Sequence, residues 1–124
     1  MNTFKLIQPI SKQFFMHLSI LKSMMYCGVL WGLYDQGWAI KSDQNERLFP
    51  FWFNSIQALH YAQDHWPHYQ PRRITPHDFE ISLLPTLMRF NVVPSLFISS
   101  TCKFNLSTLQ MRHFFFNHSA YQPA

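Results

Sequence analysis

The histidines form the most concentrated set of chemically active side chains in this 124-residue sequence. His60, His68 and His77 lie close together along the chain, with Asp64 between the first two. Imidazole nitrogens and carboxylate oxygens bind metals, but a helix would turn His60 and His65 roughly 140° apart. No HExxH or CxxC motif is present. We therefore predict no metal and no cofactor. The alternative hypothesis is a small-ligand-binding or enzymatic domain with a polar pocket of His60, Asp64, His68 and His77.

Nucleophilic chemistry is weakly supported as well. Cys27 lies in an apolar setting, where a thiol stays protonated and inert. Cys102 lies in a predicted turn next to Lys103, with no neighbouring base. Asp78 and Glu80 are two residues apart on a predicted helix, so they do not face each other. The sequence favours a non-enzymatic protein whose two cysteines are free thiols in a reducing cytosol.

Composition narrows the class of protein further. The chain is 48% hydrophobic and 18% aromatic, which excludes intrinsic disorder. No segment approaches the ~18 apolar residues of a membrane span, and no cleavage signal is evident, so we expect a cytoplasmic protein. The formal net charge is +4, but only Arg72 and Arg73 are adjacent among the basic residues. Nucleic-acid binding through Arg72, Arg73 and Arg89 is therefore the weakest hypothesis.

Helical periodicity and capping residues predict about four helices. Asn54, Thr75 and Ser107 are each placed to cap a helix N-terminus, the last with Gln110 in a capping box. Pro85 should kink or split the third helix because it removes a backbone hydrogen bond. The predicted helices run over residues 11–25, 54–66, from Thr75 to about Leu87, and over 108–116.

Strands are predicted in two places. Residues 29–52 are rich in aromatic and β-branched residues and contain two turn signals, so we expect an antiparallel meander of about three strands. Gly37 suits a positive φ in the first turn, and residues 41–47 form the second. Residues 92–99 and 103–106 predict a C-terminal β-hairpin. The expected fold is a small two-layer α+β domain over residues 11–116, with an arm at 1–10 and a frayed tail at 117–124.

Several short motifs resemble an uncharacterised bacterial family, the domain of unknown function numbered 2750. The resemblance rests on a Trp-x-Leu strand, a Gly-Trp-Ala turn and strand, an aromatic segment opening a helix, and a Leu-Pro helix. It covers about residues 11–111 and implies a compact bacterial domain without an assigned activity. The motifs are Trp31-Gly32-Leu33, Gly37-Trp38-Ala39-Ile40, Phe49-Pro50-Phe51-Trp52 with Ala58, residues 74–79, and Leu84-Pro85-Thr86-Leu87.

The aromatic excess suggests protein binding. Strand alternation would send some rings of the meander outward, and exposed aromatics beside arginine are common in binding hot spots. We therefore expect an adaptor or an immunity- or antitoxin-like module that binds another protein, with a homodimer as a further option. The expected contact residues are Tyr34, Trp38, Arg47, Trp52 and Phe53.

Overall fold

The computed structural model describes residues 29–99, 102–112 and 116, and the following statements refer to these residues. They form six strands and three helices, so the α+β class is confirmed. The predicted arm, the predicted helix over residues 11–25, the tail and Cys27 lie outside the described residues. The elements are β1 Leu30–Tyr34, β2 Lys41–Asp43, β3 Glu46–Phe51, α1 Ser55–His65, β4 Gln70–Ile74, α2 over residues 76–89, β5 Val92–Ser99, β6 Cys102–Asn105 and α3 Thr108–Met111.

The strands form two sheets rather than one meander. Four strands follow the order β2-β3-β5-β6, in which β3 and β5 are parallel and the other pairs antiparallel. β1 pairs instead with β4, a segment that lies outside the strands predicted from the sequence. The two sheets are joined where Trp31 and Trp52 exchange backbone hydrogen bonds of 2.8 Å in both directions. The predicted three-stranded meander is therefore wrong, while the C-terminal hairpin is roughly correct.

The two turns also differ from their predicted form. Gln44 and Asn45 have φ values of 49° and 69°, so a two-residue turn joins β2 to β3. The predicted long turn over residues 41–47 is thus mostly strand. In the preceding turn Gln36, with φ of 60°, takes the left-handed conformation that was expected of Gly37.

Strand alternation buries both faces of the four-stranded sheet. Phe51 and Leu96 belong to a core cluster with α2 and α3, whereas their neighbours Trp52 and Phe97 belong to a cluster with α1. Successive side chains of a strand point to opposite faces, so helices pack on both sides. The prediction of a two-layer domain with helices on one face is therefore wrong.

The helix N-termini follow their predicted signals. The Asn54 side chain accepts hydrogen bonds from two backbone N–H groups of α1, and Thr75 accepts one from Asp78. Ser107 and Gln110 form the predicted reciprocal capping box of α3. Ala58 and Ala62 form the buried face of α1, whereas Ile56 on the same helix is 61% exposed.

Pro85 neither splits nor ends α2. The helix passes through a π-helical turn at Phe79–Leu83 before its last segment, Leu84–Arg89. In this turn the N–H of Leu84 bonds to the carbonyl of Phe79, five residues back. The wider turn shifts the hydrogen-bond ladder just before the proline, where one N–H donor is missing.

Candidate functional site

Arg72, Tyr34 and Trp38 lie together at a surface cleft of about 430 Å³. The guanidinium carbon of Arg72 is 4.1 Å from the centre of the Tyr34 ring and 5.9 Å from that of Trp38. The two rings meet edge to face at 5.0 Å. These distances allow cation–π attraction, which orients the guanidinium. We name this site the arginine–aromatic cleft; it is lined by Tyr34, Trp38, Arg72, Arg73, Ile74, Asp78, Ser82, Leu83 and Thr86.

Gly32 makes the aromatic arrangement possible. It lies opposite Arg72 in the β1–β4 pair, and Tyr34, two residues further along β1, shares its face. A Cβ at position 32 would lie 2.8 Å from Cζ3 of Trp38 and 2.9 Å from Cε3. The indole therefore occupies the space that a side chain would take. The turn that follows β1 brings it there, since the N–H of Ala39 bonds to the carbonyl of Leu33 at 2.8 Å.

Helix α2 supplies the polar wall of this cleft. Asp78, Ser82 and Thr86 line it, and the Thr86 hydroxyl donates to the Ser82 carbonyl at 3.0 Å. Two exposed arginines, Arg72 and Arg73, and one carboxylate, that of Asp78, line the cleft. The cleft thus carries an excess of positive charge next to two half-buried rings, which suits a partner with carboxylate groups.

A second cleft, of about 550 Å³, lies between α1 and the sheet. Trp52, Tyr61 and Phe97 form an aromatic triangle there, with ring centres 5.2 to 5.4 Å apart. His65 stacks on Tyr61 at 4.0 Å, and its Nδ1 lies 3.1 Å from the Tyr61 carbonyl oxygen. We name this site the helix–sheet cleft; it is lined by Lys41, Trp52, Gln57, His60, Tyr61, Asp64, His65, Phe97, Ile98, Ser99, Cys102 and Lys103.

An ion pair links the edge strands next to the helix–sheet cleft. The Lys103 ammonium in β6 donates to the Asp43 carboxylate in β2, although β3 and β5 separate these strands in the sheet. This hydrogen bond and the charge of Lys103 lower the pKa of Asp43 below its ordinary value of 3.8, and the charge of Lys41 acts in the same direction. Lys103 is also 6.0 Å from the centre of the Phe97 ring.

The predicted contact residues divide into different roles. Tyr34 and Trp38 are half-buried and line the arginine–aromatic cleft. Trp52 is only 3% exposed, so it belongs to the core and to the floor of the other cleft and cannot serve as an exposed contact. Phe53 packs against the core, and the guanidinium of Arg47 donates to the carbonyl of Phe90 at the end of α2. Neither of these two lines either cleft.

Only two of the four residues of the alternative polar pocket line the same cleft. His60 and Asp64 line the helix–sheet cleft, but His68 and His77 line neither cleft. Among the described residues, no three His, Cys, Asp or Glu side chains are grouped to hold a metal ion. Cys102 is half-buried at the same cleft and carries a free thiol.

Several cleft residues carry no recognisable sign in the sequence. In the sequence, Arg72 and Arg73 suggest only nucleic-acid contacts. Their segment, which also contains Pro71, lacks the composition typical of a strand, so β4 is not predicted. Tyr61 reaches the helix–sheet cleft because α1 packs on Phe97 of β5, which is distant in sequence. The spacing of Tyr61 and His65, four residues apart on one helix face, is the one local signal that could have indicated their contact.

Comparison with known protein families identifies the family of this chain. The family model described as "Protein of unknown function (DUF2750)" matches residues 18–109, which is most of the chain. The chain belongs to this family. The predicted resemblance is therefore confirmed, and no activity comes with it. No curated protein and no solved structure matches the chain significantly. None of the helices in the described part of this family member is long and apolar enough to cross a bilayer.

Proposed function

We propose that this DUF2750 protein is a non-enzymatic interaction module that binds an acidic segment of a partner protein in the arginine–aromatic cleft. Its role would be that of an adaptor or an immunity-like protein in a bacterial cytoplasm. The observation that carries the proposal is the position of Arg72 over the rings of Tyr34 and Trp38. Arginine and aromatic side chains held together in a partly desolvated cleft are the residues that dominate protein interfaces.

The geometry favours carboxylates over other partner chemistry. The guanidinium of Arg72 is planar, and its contact with the two rings orients this plane. Two of its N–H groups can then bind one carboxylate side by side. Because the rings of Tyr34 and Trp38 are half-buried, these two side chains lose little conformational freedom on binding. Arg73 provides a second positive charge, and the net charge of +4 favours approach of an acidic partner.

A displayed library of random peptides tests this proposed function. Wild-type protein should enrich sequences rich in Asp and Glu, and the Arg72→Glu variant should bind the enriched peptides at least about tenfold more weakly. Arg89→Glu is the matched control, since it makes the same charge change at an exposed arginine that lies over Phe90, outside the cleft.

The control separates a local site from general electrostatic attraction. Equal losses in both arginine variants would show that net charge, not the cleft, drives binding. A library from which the wild type enriches no acidic sequence would also contradict the proposal. Circular dichroism of each variant confirms that it remains folded.

A further inference from the structure

The helix–sheet cleft is separate from the arginine–aromatic cleft and has the chemistry of a small-molecule site. No residue lines both. We propose that the helix–sheet cleft binds a small organic anion that carries a flat ring. Its volume of about 550 Å³ lies within the ~300–1,000 Å³ typical of such sites.

The floor of the cleft is aromatic and rigid. Trp52 and Phe97 are 3% and 5% exposed, and Tyr61 lies over both at 5.4 and 5.2 Å between ring centres. Each ring therefore holds the others in place, and the cleft needs little rearrangement before a ligand binds. A flat ring would add one more member to this aromatic set through edge or offset contacts.

Positive charge comes from the sheet side. Lys41 and Lys103 line the cleft, while the one carboxylate among its described lining residues is that of Asp64 on α1. Lys103 is paired with Asp43, which fixes its position and offsets its charge. Lys41 is therefore the ammonium group that we expect to meet the anionic group of the ligand.

The helix side adds one oriented imidazole, that of His65. A carbonyl oxygen only accepts, so the 3.1 Å contact between Nδ1 of His65 and the Tyr61 carbonyl places the proton on Nδ1. The other nitrogen, Nε2, is then left to interact with a ligand. His60 lies on the same wall, one helical turn before Asp64. One ligand can thus place its anionic group at Lys41, its ring on the aromatic floor and its hydrogen-bonding groups at the helix wall.

Titration of ¹⁵N-labelled full-length protein with four probes tests the proposal. Adenosine monophosphate represents nucleotides, and 4-hydroxybenzoate represents aromatic acids. Adenosine carries the flat ring without the anionic group, and inorganic phosphate carries the anionic group without the ring. We expect saturable shifts of the Tyr61, His65 and Lys103 amide signals with at least one ring-bearing anion. If the ligand of this cleft is a nucleotide, adenosine and phosphate should each bind at least fivefold more weakly than adenosine monophosphate.

Two variants decide whether the binding occurs at this cleft. Lys41→Gln should weaken binding of the ring-bearing anion at least fivefold, whereas Arg72→Glu, in the other cleft, should leave it unchanged. The proposal is overturned if neither anion gives saturable shifts, if the shifts lie at Trp38 and Arg72, or if Lys41→Gln binds as wild type. Because Arg72→Glu is expected to weaken only the proposed peptide binding, failure of one site is distinguishable from failure of the other.

Discussion

Trp38 lies against the backbone of Gly32, and Phe49 closes the same space. The indole meets Tyr34 edge to face at 5.0 Å and Phe49 at 5.6 Å, so it is held from two sides. A Cβ at position 32 would also lie 3.3 Å from the Phe49 ring. The absence of a side chain at Gly32 therefore leaves the space in which Trp38 lies, next to Tyr34 and Arg72.

Gly32→Ala is expected to lower the free energy of unfolding by about 1–3 kcal/mol, because the added methyl group overpacks this space. The same variant should weaken binding of acidic peptides, since Trp38 must move to make room. Urea denaturation followed by fluorescence measures the first effect, and peptide titration measures the second.

Gly37→Ala is the matched control for this substitution. Nothing lies within 4 Å of a Cβ at that position, and the φ of Gly37 is not positive. Its stability should therefore equal or slightly exceed that of the wild type. If the two alanine variants had the same stability, the packing of Trp38 on Gly32 would be refuted.

Residue type alone does not reveal which tryptophan is exposed. Trp38 and Trp52 both lie in the aromatic stretch predicted as a binding surface, yet the first lines a cleft and the second is 3% exposed. The difference arises because helix α1 covers the face of the sheet that Trp52 occupies. That packing joins segments distant in sequence, so local patterns cannot show it.

At the scale of elements, the ion pair between Asp43 and Lys103 connects the two edges of the four-stranded sheet. The pKa of Asp43 is lowered in the folded protein, chiefly by the hydrogen bond from Lys103. Its contribution to stability is therefore present above the unfolded-state pKa and is lost as the pH falls through the lower, folded-state pKa.

Asp43→Asn should consequently be less stable than the wild type at neutral pH. The difference should shrink once the pH falls below 3.8, the ordinary pKa of this carboxyl group. Urea unfolding midpoints across this range measure it. Glu46→Gln, which removes an exposed carboxylate from the same hairpin, is the control. A destabilisation by Asp43→Asn that is independent of pH would show that the ion pair is not its cause.

Elements with local signals were predictable, and elements that depend on distant pairing were not. The caps Asn54, Thr75 and Ser107 act within three residues of the chain, and all three are confirmed. Strand β4 contains a proline and two arginines and forms because β1, about forty residues earlier, pairs with it. Because β4 is not predicted from the sequence, the side of the arginine–aromatic cleft that contains Arg72 is not predicted either.

At the scale of the whole molecule, the part of the chain that the structure describes combines the arginine–aromatic cleft and the chemically different helix–sheet cleft on one small α+β fold. One presents arginine beside aromatic rings and suits an acidic peptide, and the other has an aromatic floor with a lysine at its edge. Because membership of the DUF2750 family brings no activity, function must be argued from these sites. The central claim is that the arginine–aromatic cleft is where the partner binds.

The most direct test is a map of amide chemical-shift changes when an acidic peptide selected on the wild type is added to ¹⁵N-labelled protein. The account predicts that the largest changes fall at Tyr34, Trp38 and Arg72, and that they disappear in Arg72→Glu. Changes centred on Gln57 and Asp64 in the helix–sheet cleft, or scattered evenly over the surface, would contradict it.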